Sequence, residues 1–323
     1  MSQSLGISTW AGVIMGDFIL FQPKTIKRNL LSVIKWFIGC IYLAIGAPFH
    51  RSELMAFVFH EVSDNPREHP RLTRTYSTNK VFSKQISLLS SNFRFINPLA
   101  DPQWLNKAGC LITFDDGYRG SLAAARKLDA MGISSIHFLN LDTIYGQINS
   151  SALLHFISLQ SGKDIKWPDS NPTRFKALLS GLSNSQLDEL DLFSGPYMDP
   201  SELAELISLR RTLIGDHLLN HWHANSLTQN EFLQNLSKRS EKFSEIPKMK
   251  YYLAAPHGQM DFERVKLASD RNYEVIFSGF SRARCGNVQI IPRIDMNNSI
   301  NSKPSLFGAI AISLIRGKIS ARS

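Results

Sequence analysis

Residues 111–117 read Leu-Ile-Thr-Phe-Asp-Asp-Gly: a short apolar run that ends in two adjacent carboxylates and a glycine. A buried strand seldom finishes in two acids unless something cationic waits there. Neighbours on an extended chain point to opposite faces, so a glycine turn is needed to bring both acids into one pocket. One acid could then hold a metal while the other handles a proton. The plainer alternative is a pair of solvated turn acids, because Asp-Gly is a common turn pair. A second cluster changes the balance. Residues 213–225 place His217, His221 and His223 within seven positions of a chain that has only nine histidines. On one helical turn, residues four apart stack on one face and present two imidazoles to one divalent ion; His223, two further on, points elsewhere. Asp116 with His217 and His221 gives one carboxylate and two imidazoles, a set that leaves positions open for water and substrate.

Positioning these residues takes strands and helices in alternation. Apolar runs predict strands at 54–59, 110–114, 134–139, 212–214, 251–255, 273–277 and 288–291, with a shorter one at 93–96. Between them lie helices with recognisable starts. Ser77 or Thr78 caps one carrying Phe82, Ile86 and Leu89, and Asp199-Pro200 opens another. Thr228 and Glu231 form a capping box, and a further helix covers 261–269. The helix after the paired acids turns Leu122, Ala125, Leu128 and Met131 inward and stops at Gly132. The rhythm implies parallel pairing, with the candidate ligands just beyond strand ends. A barrel with its site at the strand C-termini would show this, as would a doubly wound sheet. Residues 142–211 break the rhythm and are read as a helical insertion, or lid, over the site. The division expected is 1–52 as a membrane-associated segment, 53–300 as the barrel, and 301–323 as a basic tail with an apolar helix.

The 323 residues are 43% hydrophobic, enough for a sizeable core, and the formal net charge is +9 with a pI near 9.5. Such a balance suits an anionic partner. Lys24, Lys27, Arg28 and Lys35 crowd one apolar run, and Arg316, Lys318 and Arg322 crowd another. That favours a membrane surface over nucleic acid, for which no zinc finger, aromatic RNA-binding signature or recognition helix speaks. Cys40, Cys110 and Cys285 are scattered and imply no disulfide framework. The first 17 residues lack the pattern of an ordinary signal peptide. Residues 30–49 are apolar but interrupted by Lys35, with Arg28, Ser32, Lys35 and Gly39 forming one narrow polar stripe. This reads as an amphipathic helix lying in the interface, Trp36 and Tyr42 near the headgroups, peripheral at the cytoplasmic face; one tilted span is the alternative. Residues 306–315 form a second surface contact or, more commonly, a last core helix.

The motifs resemble a family. Thr113-Phe114-Asp115-Asp116-Gly117 looks like the first motif of the polysaccharide deacetylases, the NodB-homology domain of carbohydrate esterase family 4. His217-Leu218-Leu219-Asn220-His221 is similar to its second, His-x-x-x-His, and Ala254-Ala255-Pro256-His257-Gly258 sits where the family has an Arg-x-Pro-Tyr-Gly-like loop. Phe59-His60-Glu61-Val62 resembles the Tyr-His-x-Val entrance of a subset that includes the poly-N-acetylglucosamine deacetylases. The resemblance runs from about residue 54 to 295. It implies a distorted (β/α)7 barrel, a divalent metal with Zn²⁺ foremost, and hydrolytic removal of N-acetyl groups from a polysaccharide or lipid-linked glycan. By motif position Asp116, His217 and His221 would be ligands, Asp115 the general base and His60 the general acid. Pro256 and His257 would serve the oxyanion or substrate. Apart from the resemblance, Trp222 is either a sugar platform or, at least as often, a core residue. Three departures stand out. Ala254 replaces a motif arginine, for which Arg293 of Pro-Arg-Ile-Asp is the candidate substitute. The later Leu-x-His acid motif is missing. Asp116 and His217 are 101 positions apart, a wider gap than usual for the family. Two alternatives stay open: a metal-dependent hydrolase of a non-sugar or cyclic amide, and a catalytically silent glycan-binding membrane protein.

Overall fold

Six consecutive apolar residues with no glycine or proline form β1 (Leu54–Phe59), and every one of them is buried. A strand buried on both faces belongs in a parallel sheet covered by helices. The computed structural model describes residues 23–46, 53–163, 170–243, 246–279 and 283–320, and shows that sheet closed on itself. Its strands are β1, β4 (Gly109–Phe114), β5 (Ser135–Leu139), β6 (Thr212–Asp216), β7 (Met249–Ala254), β8 (Val275–Ser278) and β10 (Val288–Asp295), parallel throughout. β10 returns to β1 through Ala56↔Arg293, Phe57↔Ile294 and Val58↔Asp295, which makes a seven-stranded barrel. Between β6 and β7 the register slips, with Ile214 opposite Met249 but Asp216 opposite Leu253. Extra residues on one strand bend it, so the barrel is distorted. β2 (Glu61–Val62) pairs with β3 (Tyr76–Ser77) outside the ring, and β9 (Ala283–Cys285) lies antiparallel on β10.

Two-residue alternation sorts the strand side chains. Leu54, Ala56, Leu111, Ile136, Phe138, Leu213, Tyr252, Ala254, Val275, Phe277 and Ile291 fill one cluster, the barrel interior, with Trp104 and Ile96 completing it. The alternate residues, such as Phe57, Phe59, Ile112 and Phe114, face the helices. The next inward positions beyond the filled layers are Asp115 on the β4 side and Arg293 on β10. The alternation thus delivers a carboxylate and a guanidinium to the same barrel mouth.

The outer elements are α1 (Pro23–Ala44), α2 (Glu68–Thr73), α3 (Asn79–Asn92), α4 (Arg119–Ala130), α5 (Leu141–Ile144), α6 (Ser150–Ser161), α7 (Pro172–Leu179), α8 (Asn184–Ser194), α9 (Pro200–Ser208), α10 (Gln229–Phe243), α11 (Phe262–Ser269) and α12 (Lys303–Ser320). The expected helix starts are present. Thr78 Oγ1 accepts from Val81 N, Asp199 with Glu202 and Thr228 with Glu231 close capping boxes, and Asp261 caps α11. α5 to α9 fill the connection between β5 and β6. The connection is tied to the paired acids through Arg119 N to Pro196 O (2.8 Å) and Met198 N to Gly117 O (2.9 Å).

Several expectations need correction. No strand covers 93–96, where a single bridge joins Phe95 to Cys110. Met131 is the exposed C-cap of α4 rather than an inward residue. β10 runs four residues past Ile291 in spite of Pro292. Of the two readings of 306–315 the commoner one holds: it is a core helix, with Leu306, Phe307 and Ile310 buried against the barrel. α1 packs on α12, and Tyr42 is buried there with its ring 6.4 Å from Phe307, so it does not reach headgroups. The helices touch at Gly39 and Gly308, where an added Cβ would strike the carbonyl oxygens of Pro304 and Lys35. No helix among the described residues is long and apolar enough to cross a membrane. Arg322 and residues 1–22 and 47–52 of the expected N-terminal segment lie outside the described residues, as do the side chains of Lys24, Lys27, Arg28, Arg316 and Lys318.

Candidate metal centre and active site

β4 carries its ladder one residue beyond Phe114, with Asp115 N donating to Phe59 O at 2.9 Å. The chain then enters the left-handed region at Asp116 (φ 71°) and Gly117 (φ 77°). That turn swings the second carboxyl back over the mouth, so both acids share one pocket. Asp tolerates this conformation better than most residues, though it still stores strain.

His217 and His221 are not on a helix, which corrects the sequence expectation. They flank a loop after β6 in which Leu218 (φ 55°) and His221 (φ 54°) are left-handed, and a helical turn cannot contain such residues. The loop is held from outside. Asn140, buried at the end of β5, donates from Nδ2 to the carbonyls of His217 (2.6 Å) and Leu218 (2.8 Å). Ser150 N donates to Asn220 Oδ1 (3.0 Å), and Ser150 Oγ donates to Asn220 O (2.7 Å). Sequence reasoning missed Asn140, Ser150 and Asn220. A buried strand ending in an amide was the one signal for them.

Asp116 Oδ1 lies 3.3 Å from His217 Nε2 and 3.2 Å from His221 Nε2. His217 donates from Nδ1 to Ala254 O at 2.9 Å, which fixes its neutral tautomer with the Nε2 lone pair facing the carboxylate. Asp116 Oδ1 is buried and accepts no hydrogen bond from the described residues. One donor atom from each of the three lies within 4.8 Å of the others, so one carboxylate oxygen and two imidazole nitrogens converge on a single point. This is the donor chemistry of a divalent metal site, and the residues fit one. Burial alone would raise Asp116, but His221, His217 and His60 outweigh it and hold the carboxyl well below its usual range. Burial opposes charge on His217 too, yet Asp115 and Asp116 raise its pKa.

Asp115 sits beside this group, its Oδ2 3.6 Å from His217 Nε2. Arg293 Nη1 lies 2.6 Å from each Asp115 oxygen, and both side chains are almost fully buried. The residue suggested as a stand-in for the motif arginine therefore reaches the carboxylate, from a strand two places away in the ring. Ala254, at the motif position, is buried and offers His217 its carbonyl instead.

These groups open on a cavity of about 450 Å³, a common size for a small-ligand pocket. His60 lines it, half-buried at the end of β1, as do His257 and Gly258. The His257 ring stands 4.7 Å from that of His221, and burial followed by the neighbouring imidazoles holds its pKa well below the ordinary value. His69 also lines the cavity and was not foreseen; burial pushes it down to about 3, and its ring contacts Tyr118 Oη (3.2 Å) and His155 (3.1 Å). Two expected site residues do not reach the space. Trp222 is buried edge-on against Phe175 in the core under α10 and α11, and Pro256 is buried within its turn. His137 is a core residue stacked on Phe114 at 4.7 Å, and His223 points away to Ser226 and Gln259.

The same architecture recurs in solved structures. A polysaccharide deacetylase from Bacillus cereus superposes with a TM-score of 0.51 at 12% identity, over 80% of this chain and 68% of the other. IcaB from Ammonifex degensii superposes with a TM-score of 0.52 at 15% identity, over 80% and 97%. The chain has the polysaccharide deacetylase fold. No family model matches the sequence, and no curated protein does.

Proposed function

We propose that this chain is a metal-dependent hydrolase that removes the acetyl group from an N-acetylated sugar. The carrying observation is the pairing of two unlike carboxylates at one barrel mouth, Asp116 facing two imidazoles and Asp115 facing Arg293. Asp116, His217 and His221 would hold the ion, and two imidazoles with one carboxylate suit Zn²⁺. A bound ion supplies Lewis acidity to the water and to the acetyl carbonyl.

The chain's own residues do the rest. Asp115 accepts a proton from water as its oxygen bonds to the carbonyl carbon, a general-base role typically worth about 10²–10⁴ in rate. Arg293 keeps that carboxylate aimed. His60, on the same cavity wall, gives a proton to the nitrogen as the C–N bond breaks. Acetate and a protonated amine result, and the balance is amide plus water.

The reading is tested by acetate release from N-acetylglucosamine oligomers with and without chelator. Chelation abolishes release and added Zn²⁺ restores it. Asp115→Asn keeps the metal but loses about 10²-fold or more in kcat. Normal turnover in that variant excludes Asp115 as base, and chelator-resistant turnover excludes the metal.

A further inference from the structure

We propose that α1 and α12 form a docking surface for an anionic bilayer, and that the acetylated sugar reaches the cavity joined through a phosphate to a lipid held there. The substrate half rests on the deacetylase reading; the docking half does not.

Helix α1 is turned the wrong way round for water. Leu30, Val33, Phe37, Ile41 and Ile45 follow one another at three- or four-residue spacing, with Ile34 beside Val33, and all six are 42–66% exposed. The polar stripe faces the other way, with Gly39 and Tyr42 buried and Ser32 and Lys35 half-buried toward the protein. A continuous apolar face of this kind needs an occupant. Charge selects which one. The sequences of α1 and α12 carry seven Lys or Arg and no Asp or Glu, which leaves 29 of the chain's 36 cations against 27 carboxylates elsewhere. Nearly all the positive excess thus sits on the pair of helices that bears the apolar face. Apolar residues together with cations mark a helix lying in the headgroup layer of an anionic membrane. Neither helix is long and apolar enough to cross it.

The same helices wall the catalytic cavity. Lys35 of α1 and Ala309, Ile312 and Ser313 of α12 line the space that holds Asp115, Asp116 and the histidines. The outer face of α1 and the wall of that cavity are therefore about one helix diameter apart, ~10–12 Å. A lipid anchored in the bilayer can place its attached sugar at Asp115 without leaving the membrane. Lys35 and Arg74, both on the cavity wall, supply the positive charge that a phosphate linking sugar to lipid requires.

The test uses the full chain and vesicles of phosphatidylcholine with or without phosphatidylglycerol. Co-sedimentation is expected only with the anionic vesicles, to weaken with salt, and to fall about tenfold or more in the double variant Val33→Glu, Phe37→Glu. On an N-acetylglucosaminyl-phosphate lipid embedded in those vesicles, that variant loses acetate release by a similar factor and keeps wild-type release from soluble N-acetylglucosamine oligomers. Lys35→Ala lowers release from the phosphate-bearing substrate by a larger factor than release from the soluble oligomers, in vesicles and in detergent alike. Sedimentation indifferent to lipid charge and to the variant overturns the docking surface, as does self-association without lipid that the variant abolishes. Equal rates of the variant and wild type on the embedded lipid overturn the substrate assignment. Vesicle binding without acetate release from either substrate instead sinks the deacetylase reading and leaves docking in place.

Discussion

Arg293 lies 178 positions from Asp115 and still meets both of its oxygens in a buried pair. Removing one partner of such a pair strands the other charge in a low-dielectric site, typically at 3–5 kcal/mol. Arg293→Met should therefore lower the melting temperature and cut kcat by about 10²-fold through a misaimed carboxylate, with KM changed much less. Arg293→Lys should recover part of both, because a point charge survives where the guanidinium is lost. An unchanged kcat in Arg293→Met, measured on metal-loaded enzyme, would remove it from the machinery. At this scale the sequence was informative where chemistry is unusual over a short span. Adjacent acids closing an apolar strand, and histidines four apart, are hard to explain otherwise. It was silent on Asn140, whose role exists only through backbone carbonyls 77 and 78 positions away. It left Trp222 open, because a tryptophan near histidines looks the same in sequence whether it faces a sugar or Phe175.

The elements show the same division. Helix starts were legible because a cap is a contact over three residues: Thr78, Asp199, Thr228 and Asp261 all close as their spacing requires. The His217–His221 loop was not, since its left-handed residues are imposed by Asn140 and Ser150 rather than by local propensity. Pro292 argued for ending the last strand early, yet β10 continues through it because residues 293–295 have a partner in β1 that only the closed ring supplies. β2 contributes a prediction of its own. Glu61 is buried with Gly120 N at 3.3 Å, and burial, against the pull of that N–H and Arg119, raises its pKa to about 7. A folded-state pKa above the ordinary value means that the protonated carboxyl favours folding. This contribution is full below about 4.5 and is lost as pH rises through about 7. Glu61→Gln should thus shrink the loss of unfolding free energy between pH 5 and pH 8 by up to about 3 kcal/mol. Parallel pH–stability curves for variant and wild type would show that Glu61 titrates normally.

For the molecule as a whole, alternating strands and helices fitted both an open doubly wound sheet and a barrel. What separates them is one edge, β10 against β1, made of residues more than two hundred positions apart, which no local pattern encodes. The candidate ligands likewise come from two distant connections, after β4 and after β6. An ion bound between them should tie those parts of the rim together and stabilise only the folded chain. By mass action, free Zn²⁺ at a thousandfold excess over its dissociation constant adds about 4.1 kcal/mol. The metal should raise the melting temperature of the wild type and leave that of Asp116→Ala unmoved. An equal rise in both would place the ion elsewhere.

The meeting of first and last strands also sets when the protein can begin to work. Synthesis delivers both acids and both imidazoles well before Arg293 emerges. A chain growing on the ribosome could already gather an ion, yet the proton acceptor beside it would lack its guanidinium until the final staves were in place. On the proposed deacetylase reading, hydrolytic competence is in this sense a property of the closed circle, and it arrives all at once.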